Sequence, residues 1–100
     1  MASAQPILDQ AWELSPAVAL RPEPFGALAY HFGNRRLTFL KRRELVDVVR
    51  GLRAGADVRA ALIEAAVPAS QWQAYAAALE RLASAGIIRR RNEGEADDGP

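Results

Sequence analysis

A chain of 100 residues, half of them apolar and a quarter charged, has the size and composition of one globular domain. A domain of this length buries only about 60–65% of its unfolded surface, which leaves little room for a deep catalytic pocket. A net charge of +1 provides no global basic field for nucleic acid, and the lack of cysteine excludes disulfides, thiolate zinc, iron–sulfur ligation and a thiol nucleophile.

Met1 to Gln10 reads as a flexible arm in which Ile7 and Leu8 are the residues able to dock. The opening "MASAQPILDQAWE" lacks the basic start and long apolar segment of a signal peptide. No apolar run approaches the roughly 20 residues of a membrane span. The expectation is a soluble, cytoplasmic protein with no membrane partner. The short apolar run Ala17 to Leu20 predicts a strand ending at Arg21, because Pro22 and Pro24 cannot donate to a sheet ladder.

The stretch "HFGNRRLTFLKRRE" follows, and with the residues before it predicts a hairpin about a two-residue Gly33-Asn34 turn. Phe32 then opposes Arg35, His31 opposes Arg36, Tyr30 opposes Leu37, Ala29 opposes Thr38 and Leu28 opposes Phe39. One face collects Leu28, Tyr30, Phe32, Leu37 and Phe39; the other collects Ala29, His31, Arg36, Thr38 and Leu40. A slip of one residue would mix the two faces, so the pattern specifies the register.

Three helices come next. "RELVDVVRGLR" places Leu45, Val48, Val49 and Leu52 on one stripe, with Gly55 beyond it. "DVRAALIEAA" starts with Asp57 as N-cap, puts Val58, Ala61, Leu62 and Ala65 on one face, and is separated from the next helix by Pro68. "SQWQAYAAALERLASAG" has Ser70 and Gln73 in a capping-box pattern. Its stripe is Trp72, Tyr75, Ala76, Leu79, Leu82 and Ala83, and Gly86 is its stop. Ile87 and Ile88 make a short extended return to the core. The polar, charged segment from Asn92 predicts a disordered tail. The domain proper is thus expected over residues 11–91, between an arm at 1–10 and a tail at 92–100. The order of elements predicts an α+β, winged-helix-like module.

Chemistry-bearing residues are sparse. His31 is the single histidine and is placed mid-strand. No hydroxyl has a second base nearby, and the carboxylates form no pair suited to acid–base work. "RGLRAG" lacks the Lys-Ser/Thr of a phosphate loop. Neither catalysis nor a bound metal or cofactor is expected. A winged-helix DNA-binding protein is the alternative reading of the same elements. Against it, the last helix carries only Glu80 and Arg81 as charges between Gln71 and Ala85, where a reader would need phosphate-neutralising Lys and Arg. Nucleic acid is therefore not an expected partner.

The positive charge lies instead on the hairpin and its exit: Arg35, Arg36, Lys41, Arg42 and Arg43. A sheet of three strands has two edges, and charge commonly guards such edges against unwanted pairing. The same charge beside the strand Arg35–Lys41 suits capture of an acidic peptide as an added strand. Trp72 and Tyr75, on the first turns of the last helix, fit a core role or an apolar wall beside that edge. Exposed edges also permit self-pairing, so a homodimer is compatible with the sequence. The residues alone leave guarded edge and binding edge open.

The segment "ALRPEPFGALAYHFGNRRLTFLK", Ala19 to Lys41, resembles the signature segment of the mycofactocin-system peptide chaperones, PqqD-like RiPP recognition elements. "RPEPFGAL", "YHFG" and "RRLTFLK" occur in order and spacing, and a looser likeness runs through "ELVDVV" to "LASAGII". The resemblance implies a three-stranded antiparallel sheet packed on three helices and no catalysis. It implies binding of the leader of a ribosomally synthesised precursor peptide and its delivery to a radical S-adenosylmethionine (SAM) maturase, which holds the clusters and cofactor. In such folds the leader adds to the third strand against the last helix. Carried onto this chain, that implies backbone contacts from Arg36, Leu37, Thr38, Phe39 and Leu40, and side-chain contacts from Arg35, Trp72, Tyr75 and Leu79. Arg21 and Glu23, inside "RPEPFG", receive no role beyond a suggested one toward the maturase.

Overall fold

In the computed structural model, which describes residues 6–91, two antiparallel sheets and three helices share one core. Strands β1 (Trp12–Leu14), β2 (Val18–Glu23), β3 (Gly26–His31) and β4 (Leu37–Leu40) precede helices α1 (Arg43–Gly51), α2 (Val58–Glu64) and α3 (Trp72–Ser84), and β5 (Ile88–Arg90) closes the domain. The larger sheet has the order β2-β3-β4; β1 and β5 form a separate pair. This is the expected α+β arrangement with one addition. The return at Ile88 does not run alone but zips onto Trp12–Leu14, a strand the sequence reading did not anticipate.

The hairpin register is the expected one: Tyr30 opposes Leu37, Ala29 opposes Thr38 and Leu28 opposes Phe39. The turn differs. It is a four-residue loop, Phe32 to Arg35, closed by the Arg35 N–H donating to the His31 carbonyl at 2.7 Å and the His31 N–H donating to the Arg36 carbonyl at 3.0 Å. Arg35 takes the left-handed conformation, φ 63°. His31 explains the longer loop: its Nδ1 accepts from the Gly33 and Asn34 amides, at 3.0 and 3.3 Å. Asn34 Oδ1 accepts from the Arg36 amide at 2.9 Å. These side-chain acceptors satisfy loop amides that a two-residue turn would have left pointing outward.

The face that enters the core is the small one. Ala27, Ala29 and Leu40 are fully buried, whereas Leu37 and Phe39 are each 59% exposed. Alanines on β3 let α1 lie close, so that Val48, Val49 and Leu52 fill the space a bulkier strand would have occupied. Gly26 brings the start of β3 equally close to the end of β4. Its φ is 154°, and a Cβ there would overlap the Leu40 carbonyl.

β2 runs on through Pro22 to Glu23, beyond its expected end at Arg21. Pro22 opposes Ala27, one residue from the bonded Arg21–Leu28 pair implied by the Phe32 amide donating to the Ala17 carbonyl at 2.8 Å. In an antiparallel ladder alternate residues turn their backbone groups away from the partner. Pro22 sits at such an outward position, so the ladder loses nothing by its missing N–H.

At the N-terminus Ile7 and Leu8, in a 3-10 turn over Pro6–Asp9, are 3% and 8% exposed. Part of the expected flexible arm is thus built into the core: burial of Ile7 and Leu8, with the Arg59–Asp9 ion pair at 2.7 Å and the Val58 amide donating to the Gln10 carbonyl at 3.0 Å, offsets the entropy of ordering one turn. The expected tail from Asn92 lies outside the described residues.

Asp57 caps α2 as expected, its carboxylate accepting from the Ala60 amide at 2.9 Å. The Ser70–Gln73 capping box does not form. A 3-10 turn, Ala69–Gln71, leads into α3, and its N-cap Gln71 makes no side-chain cap bond. At the other end of α3, Gly86 (φ 80°) donates to Ala83 and Ile87 donates to Leu82, a Schellman stop that turns Ile87 and Ile88 into the core.

Candidate functional site

The larger sheet has two edges of different character. At the β2 edge, Pro22 removes a donor from the row of outward backbone groups. At the β4 edge no proline intervenes, and among the described residues no further strand lies beside it. The bond from the His31 amide to the Arg36 carbonyl sets the alternation along β4: Thr38 and Leu40 turn their backbone groups toward β3, while Leu37 and Phe39 turn theirs outward. The open edge therefore offers two amides and two carbonyls from Leu37 and Phe39 to an incoming strand.

Beside this edge lies a cleft of about 450 Å³ between the β4 exit, the start of α1 and the outer flank of α3. Its apolar wall is Phe39, Leu45 and Tyr75. Its α3 side presents Ala74 and Ala78, one turn apart, which keep the gap open where larger residues would fill it. Gln71 stands at one end of that row and Arg81 at the other, with Lys41 and Arg42 across from α3. Among the described residues none of these three cations has an acidic partner within salt-bridge distance; the ion pairs that form use Arg21, Arg53, Arg59 and Arg89. The cleft is thus apolar in its wall, polar at its ends and positive, a setting that favours an extended chain with alternating apolar and acidic side chains.

The structure distributes the expected site residues unevenly. Leu37 and Phe39 are on the open edge, and Phe39 and Tyr75 both line the cleft. Thr38 is half-buried and Leu40 wholly buried, both toward the sheet interior. Arg35 and Arg36 are exposed at the loop end of β4. Leu79 is fully buried in the core. Trp72 lies outside the cleft lining: its Nε1 donates to the Val67 carbonyl at 2.9 Å and its ring carries the Arg59 guanidinium at 5.6 Å. Gln71, Ala74, Ala78 and Arg81 were not singled out, although their i, i+3, i+7, i+10 spacing places them on one flank of a helix. Two alanines in that row conceal it from a search for large or charged groups.

The family model for the peptide chaperone MftB family matches residues 11–89. The peptide chaperone MftB of Mycobacterium ulcerans is 49% identical over 80 residues, covering 80% of this chain and 73% of its own. That of Mycolicibacterium smegmatis is 48% identical with 80% and 78% covered, and that of Mycobacterium tuberculosis 46% identical with 80% and 73% covered. No solved structure gives a significant match.

Proposed function

The chain belongs to the peptide chaperone MftB family, and we propose that it captures the leader of a ribosomally synthesised precursor peptide as a fourth strand on β4. It then delivers that peptide to a radical SAM maturase in mycofactocin biosynthesis. The chaperone works in the cytoplasm, carries no cofactor and does no chemistry of its own. The observation that carries this reading is the open β4 edge beside a positive, apolar-walled cleft.

Capture proceeds in two parts. The outward amides and carbonyls of Leu37 and Phe39 bond the leader backbone, each bond adding about 0.5–1.5 kcal/mol net. Ordering a free peptide costs about as much as such bonds return, so the backbone supplies register and the cleft supplies the surplus. One leader side chain in two faces the cleft. An apolar one against Leu45 and Tyr75 adds about 1.5–3 kcal/mol. An acidic one near Lys41, Arg42 or Arg81 speeds encounter and selects sequence. Arg35 and Arg36 extend the positive field along the edge. Tyr75 contacts the leader directly, whereas Leu79 and Trp72 support α3 from behind.

The test is a titration of isotope-labelled protein with a synthetic leader peptide and, separately, with duplex DNA. The leader is expected to shift the amides of Leu37, Phe39, Lys41, Ala74 and Arg81, with DNA leaving them in place. Shifts along α3 with DNA, and none along β4 with the leader, would contradict the proposal and favour a DNA-binding module.

A further inference from the structure

The sheet face that points away from the helices is unusually apolar. Leu28 and Tyr30 from β3 and Leu37 and Phe39 from β4 stand on it. Phe25 packs edge-on against Phe39 with centroids 5.8 Å apart, and Phe32 packs likewise on Tyr30 at 5.3 Å. Phe25, Phe32, Leu37 and Phe39 remain 43%, 56%, 59% and 59% exposed. Threonine would serve the strand positions Leu37 and Phe39, and Phe25 and Phe32 stand in turns where polar residues are usual, so folding alone does not account for this exposed apolar cluster.

Arg21 shares this face, since it opposes Leu28. Its Nε donates to Glu23 at 2.9 Å while its side chain stays 73% exposed, leaving terminal guanidinium donors toward solvent. An apolar centre of aromatics bordered by an accessible arginine has the make-up of a protein-binding surface.

Size selects the occupant. The exposed aromatic and leucine surface comes to about 400 Å², near the largest patch on ordinary monomers. A stable pair of copies needs about 800 Å² from each partner, so this face alone is too small for a permanent dimer. The face is continuous with the cleft through Phe39, which belongs to both. A strand added at β4 would widen it, because every second side chain of that strand points outward beside Leu37 and Phe39.

We propose that this outer face, completed by the outward side chains of the bound leader, is the docking surface for the enzyme that takes delivery of the peptide. The proposal rests on the leader-capture reading above. The partner patch it fits is apolar with a carboxylate placed to meet Arg21. An enzyme docked there distinguishes loaded from empty chaperone without any change of fold, since its contact area exists in full only when the leader is present.

The test uses the full chain, a synthetic leader and the purified radical SAM maturase, with binding followed by biolayer interferometry and by sedimentation. Native chaperone is expected to bind the maturase at least fivefold more tightly with leader than without. Phe32→Ser and Arg21→Ala, neither of them on β4 nor lining the cleft, are expected to keep native circular dichroism and leader affinity within twofold. They are expected to weaken maturase binding by tenfold or more and about fivefold, respectively. Unchanged maturase binding in both variants, with leader binding intact, overturns this proposal alone. A fall in leader affinity equal to the fall in maturase affinity overturns it by assigning the face to leader capture. A native dimer that Phe32→Ser converts to a monomer overturns it by assigning the face to a second copy. Failure of the native chain to bind the leader at all overturns the capture reading, and this one with it.

Discussion

Replacing Phe39 by proline would delete one outward N–H from the open edge and leave the ladder to β3 intact. Strand parity decides which amides face outward. His31 and Arg36 form a bonded pair, so Ala29–Thr38 is bonded and Leu28–Phe39 is not. The Phe39 amide therefore faces the incoming leader. Its loss leaves a leader carbonyl without its donor, at a cost of about 1–3 kcal/mol, or about 5–150-fold in dissociation constant. Because the ring packs edge-on against Phe25, Phe39→Ala is the control that removes the side chain alone. Thr38→Pro is the counter-experiment. Its amide belongs to the ladder, so it should cost about 3 kcal/mol or more of fold stability. Calorimetric titration with the leader and urea melts of the three variants separate the terms. Equal leader affinity for Phe39→Pro and Phe39→Ala would contradict an outward Phe39 amide. A Thr38→Pro variant as stable as the native chain that no longer binds would contradict an inward Thr38 amide.

Other expected outcomes follow from the same geometry. Ala78→Phe places a ring in the cleft and should abolish measurable leader binding in calorimetry while leaving the thermal midpoint near native. Arg42→Glu with Arg81→Glu should weaken leader binding at low salt, and the difference should shrink toward zero near 1 M salt, where the Debye length is about 3 Å. Gly26→Ala forces a Cβ onto the Leu40 carbonyl at a left-handed φ, so urea denaturation should show a loss of about 3 kcal/mol or more. Leader affinity should fall with it, since Leu40 ends the strand that carries the edge.

The register of the hairpin was legible because a one-residue slip mixes its faces, and the structure has that register. Which face is buried was not legible. Hydrophobicity favours Leu28, Tyr30, Leu37 and Phe39, but the depth available under α1 favours Ala27 and Ala29, and that depth is a property of the packed helices. The helices, the N-cap of α2 at Asp57 and the stop of α3 at Gly86 followed from local chemistry. The β1–β5 pair did not, because Trp12–Leu14 and Ile88–Arg90 are three-residue segments whose pairing is decided by tertiary contact alone. Pro22 marked a strand end for a reader who counted donors, and it proved harmless only once parity was known. In the cleft, Phe39 and Tyr75 were visible as large side chains. Ala74 and Ala78 were not, because their contribution is the volume they leave empty.

Amide hydrogen exchange, resolved residue by residue with and without the leader peptide, tests the central claim most directly. Leader capture on β4 predicts fast exchange at Leu37 and Phe39 in the free chain and strong protection of both on binding, with Thr38 protected throughout. Protection of Leu37 and Phe39 in the free chain at levels matching Thr38, or leader-induced protection confined to other elements, would contradict it.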